Sequence, residues 1–412
     1  MGNEVERNEA IRNKVKIHKN YKTGENAMKK ILSVFLAVVM ALTCAVTAFA
    51  ADTDPAVKFN SDGKFKIMML NDTQDVGKGN KQETVNFIEK ALDTEKPDLV
   101  VFVGDQLADM YPGASKEDYK IAIDNVVKPL ADRNIPFLVT LGNHDHDRAN
   151  VMSEEEMFEV YASYPNCVSV KGSTDPFTNN LLVYGSDGEK VAFNIYMMDT
   201  NNTANGGYTG IYKNQLDWYN AKSAELKAAN GGNAVPSFVF QHVPVKEIYS
   251  FFTECDWNTE GAIYSRRDHK WYVLNEDMAQ GDLGEAPCSE DFDIETGEYQ
   301  AWVANGDIMG AFFAHDHNNN FVGTSADGIK MGYNGGVGFR AYGAECGRTV
   351  RVFNLDENDV TNYETHLIYY NELMGESASN PFFDTFSPSI LNNIMKVVYA
   401  LFGWAIKLFK TC

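Results

Sequence analysis

Seven residues able to ligate metals stand at the ends of apolar runs. They are Asp72 and Gln74 in NDTQ, Asp105 in GDQ, Asn143 in GNHD, His242 in QHVP, and His315 and His317 in AHDH. Two carboxylates, two amides and three imidazoles suit a pair of divalent cations, with one carboxylate shared between them. Singly, each has an ordinary structural explanation: a cap for Asp72, a turn for Asp105, a carbonyl-bonded core position for His242. Their joint occurrence at strand ends favours one shared site. His144, beside Asn143, adds a group able to donate a proton.

The elements that must position these residues are legible around them. FKIMML (65–70), DLVVFVG (98–104) and PFLVTLG (136–142) are unbroken apolar runs, separated by helical stretches around 83–92 and 116–131. Such runs predict strands covered on both faces, as in α/β sheets, with polar loops at their carboxyl ends. Gly142 is expected to let the chain turn sharply, because glycine accepts backbone angles that other residues avoid. VAFNIYMMD (191–199), a helix near 214–229, SFVFQHVP (237–244) and IMGAFFAHDH (308–317) continue the pattern, interrupted by a polar insertion over 250–300. GIKMGYNGG, RTVRVFNL and ETHLIYY read as strands of a second sheet, and 371–388 reads as a linker. The last segment, 389–412, has polar or small residues at helical spacing opposite a broad apolar face. It is expected to lie in a membrane surface, or to dock on its own domain or self-associate.

With 412 residues, the chain holds one large domain or two ordinary ones. The net charge of −21 disfavours nucleic acid as a partner, and a small phosphorylated substrate remains compatible at a locally positive metal site. Residues 28–50 carry two lysines, an apolar run and the ending Ala48-Phe49-Ala50, the pattern of a cleaved signal peptide. Export is the expectation; residues 1–27 form an upstream extension or reflect a mis-assigned start. No CxxC pair occurs among the six cysteines, which excludes zinc-ribbon and thioredoxin readings. Cys255 and Cys288, near the two ends of the insertion, form a disulfide or stay free.

The order D-x-Q, G-D, G-N-H-D, H and H-D-H over residues 64–355 resembles the calcineurin-like metallophosphoesterase superfamily, and HNNNFVGTSADGIKMGYNGG resembles its branch allied to purple acid phosphatases. The resemblance implies a four-layer α/β/β/α sandwich over residues 58–370. It implies that Asp72, Gln74, Asp105 and His317 hold one metal, and Asp105, Asn143, His242 and His315 the other, with Asp105 as the bridge. Asn143 and His144 would meet substrate; His144 would protonate the leaving oxygen, with Asp145 orienting its ring. Apart from the resemblance, Arg340 in GGVGFRAYG reads as a surface salt bridge or as a contact to substrate phosphate. A hydroxide bridging the metals would attack phosphorus in line.

Two departures tune that expectation. Gln74 stands where the pattern usually has histidine, and its harder oxygen favours manganese over zinc, with iron also compatible. Ala108 replaces the tyrosine of purple acid phosphatases, so no ferric charge-transfer colour is expected. Activity on phosphate monoesters is the leading reading. A phosphodiesterase or nucleotide pyrophosphatase, or a non-catalytic surface-binding protein on the same fold, is the alternative. His146 and Asp147 read as solvated loop residues, with a hydrogen bond to His144 as the alternative, Asp75 as turn or metal-supporting, IYSFF (248–252) as pocket wall or core, and SRRDHKW (265–271) as a solvated face.

Overall fold

Strand formation follows the apolar runs. β1 (Lys64–Leu70), β2 (Leu99–Val103) and β3 (Phe137–Thr140) pair in parallel, with α1 (Gln82–Glu95) and α2 (Lys116–Ala131) as crossovers. Ser115 and Asp118 form a reciprocal cap at the start of α2. In this computed structural model residues 57–74, 82–108, 113–147, 149–204, 207–291, 293–343 and 347–410 are described. The chain divides into two units, Met1–Asp54 and Pro55–Cys412. The first, with the signal-peptide pattern, lies outside the described residues, as do Asp75, Cys346 and Cys412.

A short helix, α3 (Glu154–Ala162), leads to β4 (Asn179–Tyr184) and β5 (Val191–Met198), an antiparallel pair. After α4 (Lys213–Ala229) come β6 (Ser237–Gln241), β7 (Ala279–Gln280), α5 (Glu298–Asn305), β8 (Ile308–Phe313), β9 (Val322–Thr324) and β10 (Lys330–Tyr333). β11 (Thr349–Asp356) and β12 (Glu364–Tyr369) complete the sheets. One sheet has the order β12-β11-β1-β2-β3, the other β7-β9-β10-β8-β6-β5-β4.

The three late runs therefore do not share a sheet, contrary to the sequence expectation. β10 joins β8, whereas β11 and β12 cross back to pair antiparallel with β1 and each other. The period-two alternation of β1 sends its side chains into two different cores. Met68 and Leu70 face the helices α1 and α2, with Phe87, Ile88 and Ile123. Ile67 and Met69 face the opposite sheet, where Phe238, Phe312 and Phe353 interlock edge to face. A third core packs Val239, Ala311 and Phe313 under Tyr219 and Leu226 of α4 and Trp302 of α5. Three cores between four layers make the α/β/β/α sandwich.

Both sheets run their central strands in parallel, β1-β2-β3 and β5-β6-β8, which sets strand carboxyl ends and their loops at matching edges. Every residue of the candidate constellation follows one of these strands. The insertion contributes a small antiparallel sheet of Phe252–Glu254, Ile263–Tyr264 and Trp271–Leu274. Ile248 and Phe251 are buried in the outer core, so the IYSFF segment packs the interior.

The expected linker is structured instead. Short helices form at Tyr370–Met374 and Pro381–Asp384, Phe383 is buried, and the fully buried Arg348 donates to Ala378 O (3.0 Å) and Ala341 O (2.9 Å). A final helix, α6 (Pro388–Lys410), docks by one side on the insertion: Asn392 accepts from Tyr264 N at 2.9 Å and Tyr399 packs edge-on against Trp271. Phe382, Phe386, Ile390, Ile394, Val397 and Leu401 remain exposed at intervals of three or four residues. No helix among the described residues is long and apolar enough to cross a membrane.

Two packing features at the strand ends have measurable consequences. Gly104 has φ +81°, and a Cβ there would lie 2.5 Å from His242 Nδ1 and 2.6 Å from Gly142 N. Gly104→Ala is expected to lower unfolding free energy by roughly 2–4 kcal/mol through strain and overlap, read from urea midpoints. His146, nearly buried, lies 3.1 Å from Asp199 and 3.2 Å from Glu154, which ties the loop after β3 to the end of β5 and to α3. Burial opposes its charge, but Asp199 and Glu154 prevail and push its pKa up to about 11. A raised folded pKa gives stability that is complete below about 6.5 and lost as pH climbs toward the folded value. His146→Leu should cost about 3–5 kcal/mol at pH 6. The gap to wild type should narrow by pH 10; a gap independent of pH would refute the charged pairing.

Candidate functional site

Backbone geometry at the strand ends aims the side chains. Of the eight non-glycine residues with positive φ among the described residues, four belong to the constellation: Asp72 (51°), Gln74 (34°), Asp105 (53°) and His315 (74°). Such conformations cost energy and persist where surrounding contacts enforce them. Gly142 has a different part from the one its sequence suggested. It is absent from the positive-φ positions; its missing Cβ instead leaves space for Asp105 and His242, which press against its Cα. Gly338 N donates to Asp72 O at 3.1 Å, closing the glycine-rich turn over the same loop.

All seven candidate ligands are buried, and the structure brings Asp72, Gln74, Asp105, His242, His315 and His317 together; Asn143 precedes His144, whose N–H meets Asp105. His242 Nε2 is 3.1 Å from Asp105 Oδ2, 3.3 Å from His315 Nδ1 and 3.9 Å from Asp72 Oδ1. Nitrogen and oxygen ligand atoms of Asp105, His242 and His315 all lie within 4.8 Å of one another, a grouping able to hold a cation. His317 Nε2 is 3.2 Å from Asp72 Oδ1, and Gln74 Nε2 donates to Asp105 Oδ2 at 3.0 Å. The other imidazole nitrogens are fixed from behind. His242 Nδ1 donates to Val103 O at 2.9 Å and His317 Nδ1 to Tyr342 O at 2.8 Å, so each Nε2 faces the carboxylates as an available ligand.

The donor set fits a cation. Among the described residues, nothing gives Asp72 Oδ1 or Asn143 Oδ1 a well-directed hydrogen bond, a costly arrangement for buried atoms that a metal would relieve. Electrostatics agree. Burial disfavours charge on Asp105, yet His242 and His144 hold its pKa below the usual carboxylate range. Burial likewise opposes charge on His242, and Asp105 nevertheless pushes it up to about 10, while burial and the neighbouring His242 charge hold His315 down to about 3. Two imidazoles this close share one positive charge between them, and the carboxylates demand more.

Asp145 does not orient His144. Its two oxygens accept the backbone N–H groups of Asp105 (2.8 Å), Gly142 (2.9 Å) and Leu107 (2.8 Å), so it clamps the β2 loop to the β3 loop. Asp147 takes the expected part: its Oδ2 lies 2.7 Å from His144 Nδ1. The ring of His144 is 43% exposed at the side chain, and its backbone N–H donates to Asp105 Oδ1 at 2.8 Å. Burial opposes its charge, but Asp105 and Asp147 push its pKa up to about 9. Both His146 and Asp147 are thus engaged, where the sequence suggested solvent; the three-residue offset from His144 was the available clue.

Other supports also escaped the sequence. Asn71 Nδ2 donates to Asp72 Oδ2 at 2.5 Å, Tyr342 stacks on His317 at 4.3 Å, and Tyr208 meets His315 edge-on at 4.4 Å. Arg340 lies half-buried in the turn that follows Gly338. Cys255 and Cys288 are free thiols, which removes the disulfide; Cys288 is held beside the site by Asp316, whose carboxylate accepts its N–H at 3.0 Å.

Known proteins are similar to this chain. Probable inactive purple acid phosphatase 14 of Arabidopsis thaliana is 28% identical over 370 residues, covering 79% of this chain and 83% of that protein. Probable inactive purple acid phosphatase 28 of the same plant is 27% identical over 323 residues, covering 70% and 74%. Phosphatase DCR2 of Saccharomyces cerevisiae is 25% identical over 215 residues, covering 45% of this chain and 36% of the yeast protein. The family model described as calcineurin-like phosphoesterase matches residues 65–319, from β1 through the H-D-H loop. With more than half its length matched, and the strand-end constellation inside that span, the chain belongs to the calcineurin-like phosphoesterase family.

Proposed function

We propose that this protein is an exported, metal-dependent phosphatase acting on phosphate monoesters. The observation that carries the reading is the convergence of Asp72, Gln74, Asp105, His242, His315 and His317, with Asp72 Oδ1 and Asn143 Oδ1 buried and lacking a directed hydrogen bond among the described residues. Asp72, Gln74, Asp105 and His317 would hold one cation; Asp105, Asn143, His242 and His315 would hold a second. Two divalent cations, manganese favoured by Gln74, supply water activation and charge screening on phosphate oxygens when bound. For Gln74 to join, its amide turns over so that oxygen replaces Nε2 toward the site.

The chain's own residues do the remaining work. Asp145 fixes the spacing of the Asp105 and Asn143 loops through three backbone hydrogen bonds. Asp147 holds Nδ1 of His144, which leaves Nε2 to deliver a proton to the departing oxygen. The segment 28–50 supports export, and its removal would leave the Pro55–Cys412 unit intact.

A binding protein without catalysis is the second reading, favoured by the names of the Arabidopsis relatives, which call them probably inactive. Turnover of phenyl phosphate and of bis(4-nitrophenyl) phosphate with added Mn²⁺ separates the readings. Monoester hydrolysis is expected, with His144→Ala lowering kcat by about 10²–10³ and Asp147→Asn by less. Inertness toward both esters would establish the binding reading; turnover of the diester alone would make the protein a diesterase.

The apolar row from Phe382 to Leu401 supports contact with a lipid surface. Wild-type protein is expected to co-sediment with phosphatidylcholine–phosphatidylglycerol vesicles, and the double variant Ile394→Asp, Val397→Asp should partition about tenfold or more less strongly. Equal partitioning of the two, or self-association without vesicles, would contradict this.

A further inference from the structure

Next to Tyr208 and Cys288 opens a cavity of about 500 Å³ whose lining includes none of the seven candidate ligands. Its inner wall touches the site: Tyr208 presents its ring edge to His315 at 4.4 Å, and Cys288 Sγ lies within 4.8 Å of ligand atoms of both His315 and Asp316. The outer walls come from the insertion turn carrying Arg266 and Arg267 and from Pro388 and Leu391 of α6. α6 is fixed there, since Asn392 bonds both Tyr264 N and Ala262 O.

The two arginines differ. Arg267 is committed to the protein, donating to Ser289 Oγ at 2.9 Å and Glu290 O at 2.6 Å. Arg266 is exposed and has no hydrogen bond or ion pair among the described residues. Burial and nearby acidic groups push both the Tyr208 hydroxyl and the Cys288 thiol up, and the Arg266 charge opposes this only in part. Of the carboxylates lining the cavity, Glu285 is occupied by Asn318 N (2.9 Å) and the Tyr342 hydroxyl (3.1 Å), and Asp291 accepts from Asp293 N (3.3 Å). In a chain of net charge −21, an unpaired guanidinium at the rim of such a cavity is a local attractor for anions.

We propose that this cavity is the leaving-group subsite, and that it selects phosphate esters whose leaving group carries its own anionic group, a carboxylate or a second phosphate. The proposal rests on the phosphatase reading. The phosphate of such an ester sits at the strand-end constellation while the leaving group extends past Tyr208 and its anion meets Arg266. A volume near 500 Å³ matches a leaving group the size of a sugar or a substituted ring. The guanidinium's forked donors suit either oxyanion.

Two measurements on the Mn²⁺-loaded full chain test the subsite. The first compares kcat/KM for 4-carboxyphenyl phosphate and phenyl phosphate; the second compares affinities for 4-carboxyphenylphosphonate and phenylphosphonate by calorimetry, which needs no turnover. Wild type is expected to prefer the carboxylated member of each pair, and Arg266→Gln should cut that preference about tenfold, with Arg266→Lys intermediate. A preference ratio that Arg266→Gln leaves unchanged, or no preference in wild type, overturns the subsite. Phosphonate discrimination without hydrolysis of either ester would instead sustain the subsite while removing the phosphatase reading.

Discussion

Burying two carboxylates and three imidazoles in one place is the constraint on which this structure turns. Isolated, each charge would be expensive in a low-dielectric interior. Together they partly neutralise one another: Asp105 against His242, Asp72 against His317, with His315 kept neutral by its neighbour. The balance is incomplete, because among the described residues Asp72 Oδ1 and Asn143 Oδ1 remain buried without directed partners. A cation would complete it, and would give the unsatisfied atoms and the strained backbone at Asp72, Asp105 and His315 one common explanation.

The scaffold is arranged around that demand. Parallel strands in both sheets deliver their carboxyl ends to the site, and a phenylalanine-rich core between the sheets fixes their separation. Glycines 104 and 142 let the β2 and β3 loops approach the imidazole of His242. Asp145 then links those loops through backbone hydrogen bonds, a positioning duty that leaves Asp147 to hold His144. The insertion and α6 add walls to the cavity beside Tyr208 and Cys288.

Much of this was legible in the sequence, for definite reasons. Unbroken apolar runs with polar ends predict buried parallel strands, and the ligand-bearing tetrapeptides sit where such strands stop. The membership of β11 and β12 was not legible, since alternation fixes which face of a strand is buried but not which neighbour it pairs with. Asp147 was hidden because a carboxylate three residues from a histidine is common in exposed loops. Tyr208, Tyr342 and Cys288 reach the site only through folding, from segments with no motif. The part of Gly142 was misread because sequence shows that a side chain is absent, and not whether the absence serves an angle or a close approach.

Metal content measures the central claim most directly. Protein reconstituted with Mn²⁺, freed of excess metal by gel filtration and analysed for bound manganese, should carry two ions per chain. Asp105→Asn, which weakens the one oxygen ligand common to both positions, should carry neither. Wild-type chains that emerge folded and free of metal, or an Asp105→Asn variant that retains the full complement, would contradict the account.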